Sequence, residues 1–293
     1  MKRYLSCICF FVAIFSVAGQ DSMLKQLEKE AVPLESKVSD TFKGTRLING
    51  HSVELRETGV LDFLISHRFG PLNSGSYSFF GLDESNIRLG LDYALSDRLT
   101  IGLGRNSFQK VYDGFIKYKL LWQESGEKNI PFSLVYFTNI SINTLKRPEL
   151  PMTFSRRLGF NHQILVARKI NPSFSLQVSP TFIHQNLVPS REESNNLFAM
   201  GIGARYKITP RTSLNVEYFY RWGDLMMDSQ HPVAIGFDLE TGGHVFQLHL
   251  TNAQAMTETG FIPTTTGDFF GGDIRFGFNI SRNFQLKEKG EAW

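Results

Sequence analysis

The sequence predicts an all-β protein: a transmembrane, antiparallel, up-and-down β-barrel of about twelve strands, with short periplasmic turns and longer extracellular loops. Three observations carry this. From Thr58 onward, apolar and polar residues alternate with a period of two through nearly the whole chain, the signature of strands with one apolar and one polar face. The connections between those strands alternate in length. The N-terminus reads as an export signal.

That signal comes first in the chain. Lys2 and Arg3 supply a positive start, Leu5 to Val17 an apolar run, and Val17-Ala18-Gly19 a small-residue cleavage site. The run is shorter than the roughly 17 residues a spanning helix needs. Residues 1–19 are read as a signal peptide, 20–57 as a periplasmic lead-in, 58–284 as the barrel and 285–293 as a polar tail. Cys7 and Cys9, the two cysteines of the chain, fall inside the signal. The rest of the chain then has neither a disulfide nor a thiolate metal site. In the lead-in, Ser22 to Glu30 suits a short helix ended by Pro33. Thr41 to Leu55 is polar and glycine-containing; it fits a periplasmic tail or a segment tucked into the barrel mouth, with an ordered linker as the expectation.

The strands follow in order. Thr58 to Phe69 places Leu61, Phe63, Ile65 and Phe69 opposite Asp62, Ser66 and Arg68. Asn86 to Leu95, Arg98 to Asn106 and Tyr112 to Trp122 repeat the pattern. Pro131 to Asn143 and Arg157 to Lys169 alternate less cleanly. Ser173 to His184, Asn196 to Lys207, Thr212 to Arg221, Pro232 to Glu240 and His244 to Asn252 restore it. The last strand, Gly271 to Phe284, sets Ile274, Phe276, Phe278 and Ile280 against Arg275, Gly277, Asn279 and Ser281. It is expected to close the barrel by pairing with the first.

Ser96-Asp97, Ile170-Asn171-Pro172, Ile208-Thr209-Pro210 and Gly242-Gly243 are tight turns made of turn-favouring residues, and Gln123 to Ile130 is a somewhat longer turn in the same series. The alternate series is mostly longer: Gly70 to Ser85, Ser107 to Val111, Thr144 to Arg156, Gln185 to Ser194, Trp222 to His231 and Ala253 to Gly271. This is the outer-membrane pattern, with both termini on the short-turn side. A soluble β-sandwich also alternates, but it rarely sets Phe, Leu and Tyr on one face of a dozen strands against Arg, Lys, Asp and Glu on the other. A net charge of +3 is too small to argue for nucleic acid.

Several strings are long and specific: TFKGTRLINGHSVE, TGGHVFQLHLTNAQ, DFLISHRFG, FFGLDESNIRLGLDY, YDGFIKYKLL and GGDIRFGFNISR. With them the chain resembles the uncharacterised β-barrel family known as domain of unknown function 5777, over nearly all of its length after the signal. The resemblance implies a barrel exported to the outer membrane of a Gram-negative bacterium, and it brings no catalytic residues. Outer-membrane lipid and the barrel-assembly machinery are the implied partners. Because QLKEKGEAW continues past the last strand, either Phe284 or Trp293 is the aromatic that machinery would read.

The lumen face holds the candidate chemistry. By strand phase it comprises Asp62, Arg68, Arg88, Asp92, Asp113, Lys117, Lys119, Arg205, Lys207, Glu217, Arg221, Asp238, Glu240, Gln247, His249, Arg275 and Asn279. Charges in a dry core are costly unless paired or wet. Two readings follow. In one, a water-filled pore passes or binds a small anionic or zwitterionic solute. In the other, the charges pair across the lumen and leave a closed structural barrel that works through its loops or N-terminal segment. A hydrolase of the Ser/His/Asn kind stands third and rests on fold analogy; the expectation is no enzyme and no cofactor. Among the seven histidines, His244 and His249 point to opposite faces, and zinc-site spacing is absent.

Overall fold

The computed structural model describes residues 36–126, 128–148, 152–188, 193–222, 229–241 and 244–287. The signal peptide expected at residues 1–19, the helix expected at Ser22 to Glu30, the turn expected at Gly242-Gly243 and most of the tail lie outside them. Twelve antiparallel strands form a closed barrel. They are β1 Val60–Pro71, β2 Ser85–Ser96, β3 Leu99–Asn106, β4 Val111–Leu121, β5 Ser133–Asn143 and β6 Leu158–Lys169. There follow β7 Phe174–Gln185, β8 Asn196–Lys207, β9 Thr212–Trp222, β10 Val233–Thr241, β11 His244–Thr251 and β12 Arg275–Gln285. Each strand pairs with its neighbours in sequence, and β12 closes on β1 with Phe278 opposite His67 and Phe284 opposite Leu61. Closure removes every sheet edge, which is the condition for backbone to sit in lipid.

The alternation sorts side chains as a membrane barrel requires. Leu89, Leu91, Leu103, Ile116, Ile202, Val216, Phe237 and Leu248 point outward and are exposed, while Asp92, Lys117, Arg205, Glu217, Asp238 and Gln247 on the same strands are buried. A water-soluble sandwich would reverse the two. Aromatic residues and histidines cluster on the outer wall, with His67 stacked on Phe278 at 4.9 Å and His231 on Tyr220 at 5.0 Å between ring centroids. Phe284 lies at the short-turn end of β12.

Two segments that are not part of the wall lie inside it. Residues 41–55 are almost entirely buried, with Phe42, Leu47, Ile48 and Val53 each at most 3% exposed. The expectation of a linker is therefore corrected. The second segment comes from the connection between β11 and β12, expected to be an ordinary long loop. It turns inward and carries helix α1, Glu258–Thr264, whose Phe261 and Ile262 are fully buried.

Candidate functional site

The first segment is a short hairpin that enters from the short-turn rim. Leu47 N–H donates to Gly50 O at 2.9 Å, Ser52 N–H to Thr45 O at 3.1 Å, and Arg46 bridges His51. Its tip is an open turn that leaves the N–H groups of Ile48, Asn49 and Gly50 pointing one way. All three donate to the Glu217 carboxylate of β9, at 3.1–3.3 Å. Successive amides in a turn form an anion-binding concavity, and here the wall supplies the anion. Leu47 fills the space left by Gly203, where a Cβ would stand 2.4 Å from Leu47 Cδ1.

The carbonyls of the hairpin are met by wall side chains in turn. Lys119 Nζ donates to Val53 O at 2.7 Å, Lys117 Nζ to Glu54 O, Gln177 Nε2 to His51 O at 2.8 Å and Asn279 Nδ2 to Ile48 O at 3.0 Å. Arg205 donates to Asp40 O at 2.9 Å and Thr41 O at 3.2 Å, and Gln247 to Leu47 O. Two guanidinium groups reach back to the wall: Arg46 of the hairpin pairs with Asp92 at 3.2 Å, and Arg56, just past it, with Asp62 at 3.0 Å. Lys43 pairs with Glu240. Phe42, Leu47 and Val53 then pack on Phe115, Val135, Phe137, Leu165 and Ala167. A cavity of about 30 Å³ remains beside Arg46, Asp238, Gln247 and Asn279, room for a water or two.

The inward loop is held differently. Ala253, Ala255, Phe261 and Ile262 join Ile183, Leu197, Ala199 and Phe219 in one apolar cluster. Arg221 donates to Ile262 O at 3.3 Å and Pro263 O at 3.2 Å, Gln185 Nε2 to Thr259 O at 2.9 Å, and Thr259 Oγ1 to Ser141 Oγ at 2.7 Å. Arg68 touches both segments: NH1 donates to Ala253 O and Ala255 O of the loop, NH2 to Asn49 Oδ1 of the hairpin. The segments also meet where His51 Nε2 lies 3.9 Å from Glu258 Oε1. Burial pushes the Glu258 carboxyl up to about 7, against the pull of Arg46 and Arg88. Burial, and then Arg46, Lys117 and Arg88, hold His51 well below the ordinary imidazole range.

The residues read from strand phase as lumen-lining therefore lie on the inner wall. All are buried except Lys207, Glu240, Arg275 and Asn279, which are half-buried. Of the two readings of how their charge is met, pairing across the lumen holds only in part. Only Arg88 and Asp113 pair directly within the described wall, at 3.0 Å. The others bond mainly to main chain and side chains of the inserted segments, because these bring carbonyls, amides and guanidiniums into the lumen. His249 is buried with both ring nitrogens unpartnered among the described residues. The site residues that strand phase did not single out are Arg46, His51, Arg56, Glu258 and the inward apolar set. Their one signal was the poor alternation of Pro131 to Asn143 and Arg157 to Lys169, where Val135, Phe137, Leu165 and Ala167 face inward.

Among the described residues, no group of three His, Cys, Asp or Glu side chains is placed to hold a metal. On the outer wall His184 Nδ1 is 2.7 Å from Asn196 Oδ1. The residue opposite His184 on β6 is Phe160, and the next outward residue on β7 is Phe182.

A family model described as membrane-bound beta barrel domain (DUF5777) matches residues 42–284, from the hairpin to the end of the barrel. No protein of curated function matches the sequence. Among solved structures, the NanC porin superposes with a TM-score of 0.50 at 7% identity, over 76% of this chain and 98% of that one. An outer-membrane channel from Pseudomonas putida F1 gives 0.48 at 15% identity, over 79% and 97%. The outer membrane phospholipase A from Escherichia coli gives 0.44 at 11%, over 78% and 91%. At such identities the likeness is one of fold.

Proposed function

The chain belongs to the family of membrane-bound β-barrel domains known as DUF5777, and from there we propose that it is an outer-membrane conduit of a Gram-negative bacterium. It is closed at rest by its own hairpin and loop, and it binds and passes a small anionic or zwitterionic solute. One observation supports this reading above the others: the buried charges of the wall bond mainly to main chain of two segments that are not themselves part of the wall. A barrel meant to stay shut gains little from such a lumen, since apolar packing of equal volume is often as stable as buried ionic groups or more so. Groups satisfied by removable carbonyls are equally satisfied by water or by a solute.

The sign of the solute follows from the order of removal. When the loop withdraws, Arg221 loses its Ile262 and Pro263 acceptors, and Arg68 loses Ala253 and Ala255. Two guanidiniums are then left facing the vestibule, and a carboxylate or phosphate offers the oxygens they lost in bidentate geometry. Planar-bilayer recording tests the reading. The native barrel should be nearly silent. Removal of residues 41–55 and 253–265 together should give a steady, anion-preferring current, and Arg68→Glu with Arg221→Glu should reverse the preference. A correctly inserted double-deletion barrel that carries no current would sink the proposal in favour of a closed structural barrel.

A further inference from the structure

The outer wall has a gap that neither the lumen nor the loops account for. On β4 the outward positions run Tyr112, Gly114, Ile116, Tyr118 and Leu120, so Gly114 alone lacks a side chain. Its φ is not positive. A Cβ there would meet only Leu103 Cδ2 at 3.4 Å and Gly102 O at 3.8 Å, both ordinary contacts. Neither backbone conformation nor packing requires glycine at this position. Its effect is to leave an apolar groove of about 450 Å³ in the lipid-facing wall, lined by Leu91, Ile101, Leu103, Ile116, Ile140 and Phe160 among others. Leu103, directly across from Gly114 on β3, is 69% exposed.

The foot of the same strands carries charge. Arg98 precedes Ile101 by three residues toward the short-turn rim, about 10 Å along a strand. Its guanidinium lies 4.0 Å from the centre of the Trp122 ring and is fixed by bonds to Lys119 O at 3.2 Å and Leu120 O at 3.3 Å. Lys37 Nζ lies over the same ring at 4.1 Å. Both side chains are exposed, and neither is in an ion pair among the described residues. A tryptophan at a strand end marks headgroup depth in a membrane barrel. Two cations held there attract an anionic headgroup, and the groove above them is mainly apolar, with Tyr93, Thr138 and Asn139 among its lining residues.

We propose that this face of β2–β4 is a specific site for one anionic glycerophospholipid of the leaflet on the short-turn side. Its phosphate is taken by Arg98 and Lys37 and an acyl chain lies in the groove at Gly114. A second copy of the barrel is the competing occupant. It would have to bring both a convex apolar ridge and an anion to the same depth, whereas a phospholipid carries the two at the required spacing.

Native mass spectrometry of the intact barrel tests this, after extraction in mild detergent from vesicles of phosphatidylglycerol and phosphatidylethanolamine. The expected result is one retained phospholipid, with phosphatidylglycerol enriched severalfold over its share in the vesicles. Gly114→Leu should abolish retention. The double variant Arg98→Ser, Lys37→Ser should retain lipid without the anionic enrichment. If Gly114→Leu fails to insert, Gly114→Ala fits the space and should lower retention. The proposal is overturned by a native barrel that retains no lipid, by undiminished retention in the Gly114 variants, or by unchanged enrichment in the double variant. It is also overturned by a disulfide-linked dimer of Leu103→Cys, a clean readout because no native cysteine follows Cys9.

Discussion

The two segments inside the barrel both pack on apolar residues of the wall, but they differ in how many polar bonds hold them. The hairpin of residues 41–55 is held by ions and amides drawn from around the wall: Asp92 on β2, Lys117 and Lys119 on β4, Gln177 on β7, Arg205 on β8, Glu217 on β9, Gln247 on β11 and Asn279 on β12. The inward loop is held by an apolar cluster and by a few donors, chiefly Arg68, Arg221 and Gln185. Charge-assisted hydrogen bonds each contribute about 1.5–3 kcal/mol and are directional, so the hairpin is fixed in one register. Apolar packing is strong but does not fix a register, and few bonds must break for the loop to lift. The hairpin is thus the more firmly held of the two, and the loop the first to leave.

The largest effect should come from Glu217→Ala, which strips the acceptor from three buried amides at once. Leaving each unpaired costs on the order of 1–3 kcal/mol. Added protease should then cleave the hairpin at least about a hundredfold faster than in the native barrel, with loop cleavage little changed. Equal acceleration of both segments would mean that the two move as one body, and the distinction drawn here would fail.

The second effect is of pH, and its sign differs between the segments. Docked Glu258 has a raised pKa, about 7 against 4.5 when free. Docking of the loop is therefore strongest below the free value and weakens as pH rises toward 7, by up to roughly 3 kcal/mol at 1.36 kcal/mol per unit. Docked His51 has a lowered pKa, so docking of the hairpin is strongest above the free value of 6.5 and weakens as pH falls below it. Hydrogen exchange of the two segments between pH 4 and 8 should show protection moving in opposite directions, and Glu258→Gln should flatten the loop's profile alone. Profiles that run in parallel would refute the assignment of one titrating group to each segment.

Arg221→Met should be milder. It removes two donors to carbonyls of the loop while keeping the bulk of the side chain, a loss of about 1–3 kcal/mol. Protease cleavage of the loop should become roughly tenfold faster, with hairpin protection unchanged. The smallest effect is expected from Lys43→Ala. Its partner Glu240 is 42% exposed, and exposed pairs contribute about 0–1 kcal/mol. A large loss of hairpin protection here would show that the rim, not Glu217, anchors the segment.

Strand phase was legible in the sequence because a period of two survives wherever one face meets lipid and the other a polar lumen. It placed Arg68, Glu217 and Asp238 on the inner wall without any knowledge of their partners. The hairpin was not legible. TRLINGHS has no period, and the same residues would serve a solvated linker, since what fixes them is a set of donors spread over strands far apart in the chain. The loop was hidden for the same reason: only Phe261 and Ile262 mark it, and their partner Phe219 interrupts an otherwise polar face of β9. The weak alternation of β5 and β6 was a real signal. Phe137 and Leu165, both at 0% exposure, would not face a lumen filled only with water.

The hairpin also bears on how the barrel is made. It precedes β1 in the chain, yet Ile48 accepts a bond from Asn279 of β12, 231 residues later, and Gln247 of β11 reaches Leu47 across 200. Contacts this distant in sequence are slow to form, because loop-closure entropy is spent before they are gained. Its docking site is complete only when the final strand arrives at the β12–β1 seam. The hairpin therefore reaches its full set of contacts only as the last pair of strands closes.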